Sequence, residues 1–389
     1  MKMAYVCSDR GIPVFGSKGC SLHVQEASLA FSQLAVEVNM FAASLGNECP
    51  ESLPITHVHK IKHARIKERA AREQSDIADN QTTIKRLLEH GPFNFVYERY
   101  SLWSHAGMTY AREIGVPGVL EVNAPLIEEQ KRYRGLIDEN AAQAITRQCF
   151  SAATHILAVS KEVAQYLEQY PQAKGKIHVL PNGVNVDRFI PRAIGVRNEN
   201  LTIGFIGSLK PWHGVEGLIE SFAQLQAQYA NIRLLILGDG PQRRALEQQV
   251  KTLHIEHKVK MTGAISPQLV PEYMATIDIG VAPYPSGLDF YFSPLKVYEY
   301  MAAGLPIVAS QTGQIEELIE HGVNGVLYPA GDIHALTKAI EQLILEPVMA
   351  QSLGKRARQE AEQYHSWVRR MSDVLGLVMS HEGGGYGSS

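Results

Sequence analysis

The stretch SPLKVYEYMAAGLP, residues 293–306, is the point from which this chain can be read. Ser293 is a good N-cap and Pro294 suits a first helical position, so these residues predict a helix beginning there. A helix N-terminus presents unpaired backbone N–H groups and a partial positive charge, which together favour a phosphate. Lys296 and Glu299 lie one turn apart on the same side. A carboxylate at Glu299 can accept two hydrogen bonds from a sugar diol such as a ribose. Gly304 and Pro306 end the helix, and residues 305–309 read as a buried strand. The same residues equally suit an ordinary capped helix in which Lys296 and Glu299 pair with each other.

Working outward, short apolar runs alternate with helical patterns, the signature of a parallel α/β fold. In the first half the strands are expected at residues 3–7, 37–42, 95–97, 118–122, 155–159 and 177–180, with helices at 21–35, 102–114 and 161–170. A second set of strands is expected at 201–206, 233–237, 259–261, 277–281, 306–309 and 325–327, with helices at 214–229, 242–253 and 294–303. Turn formers at residues 181–189, followed by a polar run to Asn200, mark the linker. The expected organisation is a first α/β domain at 1–185 and a second at 186–365. A helix at 366–380 follows, and then a disordered glycine-rich tail at 381–389. Ligands of open α/β sheets bind beyond the carboxyl ends of the strands, so two such domains would face a central cleft.

A length of 389 residues calls for about two domains. Apolar content of 45% with 20% charged residues is ordinary for a soluble globular protein, and a formal net charge of −3 gives no global reason to bind nucleic acid. Cys7, Cys20, Cys49 and Cys149 show neither metal-ligand spacing nor a disulfide framework, so reduced thiols in a cytosolic protein are expected. No signal peptide or membrane span is read.

Three loops offer polar chemistry. In the first, Gly16, Lys18 and Gly19 precede a helix carrying His23 on its first turn. The spacing slips by one residue from a P-loop, and no GxGxxG follows the strand, which argues against an ATPase and a dinucleotide dehydrogenase. In the second, Gly207, Ser208, Lys210 and His213 follow the first strand of the second set, and a lysine is a suitable point charge for a diphosphate. In the third, Gly238, Asp239 and Gly240 either admit a base or ribose closely or form a tight turn. Turns after strands one, two and five of the second set are expected to converge on one crevice.

With these motifs in order, the chain resembles the retaining glycosyltransferases of family 4 (group 1), which have the two-domain GT-B architecture of paired Rossmann-like domains. The resemblance runs over essentially the full length. It rests on the loop at residues 16–23, on 159–164, on PNGV at 181–184, on GSLKPWHG at 207–214, on GDGP at 238–241 and on EYMAAGLP at 299–306. It implies a hexosyltransferase-type enzyme that moves a sugar from a nucleoside diphosphate sugar to an acceptor hydroxyl. No cofactor or essential metal is implied, and the anomeric configuration is retained. By position, Glu299 would hold the donor ribose, and the amides around Ser293, Pro294 and Leu295 would meet the diphosphate or sugar. Lys210 would neutralise the leaving group, and the loop from Gly16 to Gly19 would close over the donor. The domain at 1–185 would bind the acceptor and that at 186–365 the nucleotide sugar, and the helix at 366–380 would cross back to the first domain.

The chain departs from the family pattern at three places. The first glutamate of the family's EX7E motif falls on Tyr291, with Asp289 close enough to substitute. The Arg and Lys of the diphosphate loop fall on Ser208 and His213. A histidine of the first domain falls on Asn123, which with Arg99 and Glu121 offers polar groups either for the acceptor or for buried structural hydrogen bonding. An epimerase or phosphorylase of the same fold, or a non-catalytic sugar-nucleotide-binding subunit, are the alternatives. Lys60, Lys62, Arg65, Lys67, Arg69 and Arg72 are expected on one basic helix, with Lys131, Arg132 and Arg134 as a second basic run. A solvated helix is the preferred reading, with peripheral contact at the inner face of a membrane as the other. Whether the donor carries UDP, GDP or ADP, whether the acceptor is a sugar, lipid or small molecule, and the oligomeric state stay open.

Overall fold

The computed structural model describes residues 1–191, 200–287 and 290–383, without the side chains of 381–383. Asp289 and residues 384–389 lie outside the described residues. The chain divides into two compact units. The first comprises Met1–Asn182, Tyr291–Ser293 and the chain from Trp367 on, and the second comprises Gly183–Phe290 and Pro294–Ser366.

The first unit is built on seven parallel strands, β1 (Lys2–Cys7), β2 (Glu37–Ala42), β3 (His57–Lys60), β4 (Phe95–Arg99), β5 (Gly118–Val122), β6 (His155–Ala158) and β7 (Ile177–Val179). Their order is β3-β2-β1-β4-β5-β6-β7. Helices cover the sheet, so its central strands read as unbroken apolar runs: Met3, Ala4, Tyr5 and Val6 are all fully buried. β3 was not expected. Its sequence, HVHK, lies at the sheet edge and carries no apolar run.

The basic segment differs from expectation for a local reason. Lys60 ends β3, residues 61–67 form no regular element, and the helix begins only at Arg69. Glu68 sets that start, because its carboxylate accepts hydrogen bonds from the amides of Ala70 and Ala71 at 2.9 and 2.6 Å. Of the six basic residues only Arg69 and Arg72 share the helix, so no single basic face forms. No described helix is long and apolar enough to cross a membrane.

The helix Trp367–Gly383 belongs to the first unit. Trp367, Met371, Val374, Leu375 and Val378 recur at the spacing of one helix face. They enter the core that holds Val24, Ala27 and Phe31 of the helix Gly19–Gln33.

The second unit has six parallel strands, β8 (Leu201–Ile206), β9 (Ile232–Leu237), β10 (Val259–Met261), β11 (Ile279–Ala282), β12 (Ile307–Gln311) and β13 (Val326–Pro329). Their order is β10-β9-β8-β11-β12-β13. Chain order reverses between β8 and β11, which puts a crevice at the carboxyl ends of those two strands. The helix carrying the EYMAAGLP motif, Leu295–Ala302, follows β11 and precedes β12. It therefore follows the fourth strand of this sheet, not the fifth. The converging turns are those after the first, second and fourth strands.

That helix is fixed at its C-terminal end and through Tyr300. Gly304 adopts a left-handed φ of 67°, its N–H reaches the Met301 carbonyl at 3.0 Å, and the Leu305 N–H reaches the Tyr300 carbonyl at 3.0 Å. This is a Schellman cap. The Tyr300 hydroxyl accepts from the Ile206 amide at 2.9 Å and donates to the Val281 carbonyl at 3.2 Å, tying the helix to β8 and β11. Arg358 donates to the carbonyls of Val186 and Phe189 at 2.9 Å each and also to that of Ala302, which fastens the linker to the helix end.

Candidate active site

In the second unit, the turns after β8 and β9 lie back to back. The Leu209 amide donates to the Asp239 carbonyl at 2.9 Å and the Gln242 amide to the Leu209 carbonyl at 3.1 Å. A Cβ on Gly238 would fall 1.9 Å from the Gly207 carbonyl oxygen, so this glycine serves the approach of one loop to the other. Asp239 turns inward on its own loop, accepting from the Gly240 amide at 2.7 Å. Gly214, at a left-handed φ of 62°, then opens the helix Val215–Gln226 with no side chain capping it.

The helix Leu295–Ala302 also starts without a side-chain cap, and Pro294, not Ser293, is its flanking residue. Ser293 does not serve as the cap expected from the sequence. Its hydroxyl accepts from the Asn182 amide at 3.3 Å, within the first unit. Lys296 is 6% exposed, and its Nζ has no hydrogen-bond partner among the described residues. The ammonium lies 4.3 Å from the Phe205 ring centre and 4.6 Å from that of Tyr284. Burial pushes its pKa down to about 7, against the pull of Glu299. Glu299 sits one turn further on and is half-buried.

The charged positions of the loop after β8 read differently. Lys210 lies 5.2 Å from the ring centre of the exposed Trp212. His213 directs Nδ1 at the Ser208 carbonyl, and burial, with the nearby Lys296 charge, pushes its pKa to about 3. A carbonyl only accepts, so Nδ1 carries the proton and Nε2 of this neutral ring is left an acceptor.

In the first unit, His23, Arg99, Glu121 and Asn123 come together. Parallel pairing puts Arg99 directly beside Glu121. Glu121 Oε1 accepts from Arg99 Nη1 at 3.2 Å and Asn123 Nδ2 at 2.8 Å, and it also contacts His23 Nε2. Burial alone would raise the Glu121 carboxyl, but His23 and Arg99 more than offset it and hold the pKa at about 2. Burial pushes His23 down, so near neutral pH the imidazole serves as an N–H donor and Arg99 carries the charge. The sequence reading missed two other members of this cluster. The Trp367 ring meets His23 edge-on with centroids 4.7 Å apart, and the Asn182 side chain of the PNGV turn hydrogen-bonds His23. His23 is thus buried, with its ring against Trp367 and Nε2 against Glu121.

Of the loop before that helix, Ser17, Lys18 and Gly19 are exposed, and no side chain caps the helix they open. The Gly16 amide is already taken by the Pro13 carbonyl at 2.8 Å. Tyr291 belongs to the first unit, where its hydroxyl donates to Glu129 at 2.5 Å. A cavity of about 320 Å³ opens at the carboxyl ends of β1, β4 and β5, lined by Asp9, Arg10, Asp76, Asp79, Ser101 and Glu129 among others. His63, Asp76 and Asp79 bring ligand-type atoms within 4.8 Å of one another. The Arg10 guanidinium contacts both carboxylates and serves as their cation.

Residues 17–188 match the family model described as Glycosyltransferase Family 4, and residues 186–360 match that described as Glycosyl transferases group 1. The chain belongs to the group 1 glycosyltransferases of family 4 type. An uncharacterized glycosyltransferase of Methanocaldococcus jannaschii is 25% identical to this glycosyltransferase over 59% of the chain and 61% of the relative. The chain thus spans about three-fifths of that relative's length. A D-inositol 3-phosphate glycosyltransferase of Kribbella flavida is 21% identical over 89% of the chain and 87% of the relative. Among solved structures, Anabaena HepE in complex with UDP matches with a TM-score of 0.73 at 19% identity, covering 98% of this glycosyltransferase and 100% of that chain. That likeness shows the fold, two parallel α/β domains of the GT-B class.

Proposed function

We propose that this glycosyltransferase takes a sugar from a nucleoside diphosphate sugar and delivers it to an acceptor hydroxyl, retaining the anomeric configuration and using no essential metal. The observation that carries the reading is the uncapped N-terminus of Leu295–Ala302. It opens at the same end of the sheet as the turns after β8 and β9, with Glu299 one turn in. Aligned amides there are suited to an anion. That the related fold of HepE was solved with UDP supports a nucleotide as that anion.

In this reading Glu299 accepts the ribose hydroxyls and the amides around Leu295 meet the diphosphate. As the anomeric C–O bond breaks, its electron pair goes to the diphosphate, and fixed donors aimed at that oxygen lower the barrier. The acceptor hydroxyl attacks from the leaving-group face, and the departing phosphate oxygen takes its proton. We assign the acceptor to the 320 Å³ cavity of the first unit, whose carboxylates and hydroxyls suit a hydroxyl-rich molecule. Arg99, Glu121 and Asn123 are spent on one another and on His23.

Two measurements test this. NMR of the product's anomeric linkage should show retention, and inversion would overturn the mechanism. Glu299→Ala should lower kcat/KM by at least about tenfold, equivalent to about 1.4 kcal/mol of transition-state binding. A smaller loss would remove Glu299 from the ribose.

A further inference from the structure

Resting on that donor reading, we infer that the cation receiving the diphosphate has moved from the loop after β8 to the helix after β11. Lys296, rather than Lys210 or His213, takes up the charge of the leaving nucleoside diphosphate.

The starting observation is a buried ammonium group with no hydrogen-bond acceptor among the described residues. Lys296 is 94% buried, its Nζ lacks any hydrogen-bond partner among the described residues, and two aromatic faces hold it in place. A buried ammonium without acceptors is destabilising, and a Lys-to-apolar exchange would remove that cost. The position of the group supplies the missing partner. A Cβ on Gly207 would lie 3.3 Å from Nζ, so the ammonium sits beneath the glycine that ends β8, on the first turn of the uncapped helix. An anion seated on that helix N-terminus at the end of β8 would supply the acceptors that Nζ lacks.

The loop itself offers no substitute. Ser208 is uncharged. His213 is neutral in the free protein, with Nε2 left an acceptor. Lys210 lies half-buried beside Trp212. Among the described residues, the titratable groups around Lys296 are Glu299 on its own helix, His213 from the loop after β8 and Tyr284 after β11. None of these cancels an arriving dianion. Lys296 forms no covalent bond during transfer, and its contribution is electrostatic.

A proton signature follows. Free Lys296 titrates near 7, and a diphosphate beside it favours the charged form. Above that pH the protein must take up a proton when the diphosphate binds, whereas at pH 6 the group is already charged.

The test is calorimetry of the full chain with UDP, GDP and ADP and with the three matching nucleosides. The proteins compared are wild type, Lys296→Met and Lys210→Met. The expected result is that Lys296→Met loses at least tenfold in affinity for the diphosphate that wild type binds, with nucleoside affinity within threefold. Lys210→Met should lose less than Lys296→Met. Wild type should take up close to one proton at pH 8, read from buffers of different ionisation enthalpy, and none at pH 6, and Lys296→Met should take up none at either. The melting temperature of Lys296→Met should equal or exceed that of wild type. Retained diphosphate affinity in Lys296→Met, or absence of proton uptake in wild type at pH 8, overturns this assignment alone. Failure of wild type to bind any of the three diphosphates overturns the donor reading, and this assignment with it.

Discussion

Glu121→Ala is expected to cost about 3–5 kcal/mol of stability, because it strips the shared acceptor from Arg99, His23 and Asn123 at once. Arg99, with a side chain only 11% exposed, would keep its charge with no carboxylate, and His23 would lose its partner beneath Trp367. In a unit of this size that loss lowers the melting temperature by about 10 °C, readable by calorimetry at pH 7. The pH dependence has a fixed sign. A carboxyl held at about 2 when folded, against an ordinary value of 4.5, stabilises the protein above the ordinary value. That contribution is lost as pH falls from 4.5 toward 2. The deficit of Glu121→Ala should therefore shrink at pH 3. A deficit under about 1 kcal/mol at pH 7 would mean that Arg99 finds solvent or another acceptor, and the buried network would have to be redrawn.

Gly238→Ala should cost about 3–5 kcal/mol, combining overpacking with a backbone angle that L-residues resist. The added carbon would meet the Gly207 carbonyl oxygen at 1.9 Å, with φ at 139°. That carbonyl cannot retreat freely, since the Gly207 amide is bound to the Leu237 carbonyl at 3.0 Å. Gly322→Ala separates the two effects. Gly322 has a φ of 79° but nothing within 4 Å of a new Cβ, so only the conformational cost of about 1 kcal/mol applies. Equal losses in the two variants would show that the loops can part, and that the back-to-back contact does not shape the site. Urea unfolding of both variants decides it.

Much of this architecture is legible in the sequence because buried parallel strands write themselves as apolar runs. β2, β5, β8 and β10 begin and end where the pattern says. β3 escaped because an edge strand needs no apolar run, and the helix start at Arg69 escaped because Glu68 is an unusual cap. Ser293 looked like a cap, but a residue far away in sequence, Asn182, claims its hydroxyl. The donor side shows the same limit. Lys296 and Glu299 could be named from their spacing. That the Lys296 ammonium is unpaired depends on Phe205 and Tyr284, which other strands deliver. His213 looked like a cation by position, and only burial beside Lys296 makes it neutral.

The helix Trp367–Gly383 also sets a timetable for synthesis. All seven strands of the first unit have left the ribosome's active site by Val179, yet the face of Gly19–Gln33 that carries Val24, Ala27 and Phe31 waits for Val378. At roughly 5–20 residues per second, the intervening chain takes about 10–40 s to make. Throughout that interval the nascent first unit carries an open apolar strip while the whole of the second emerges behind it. The half that is made first is the half that is finished last.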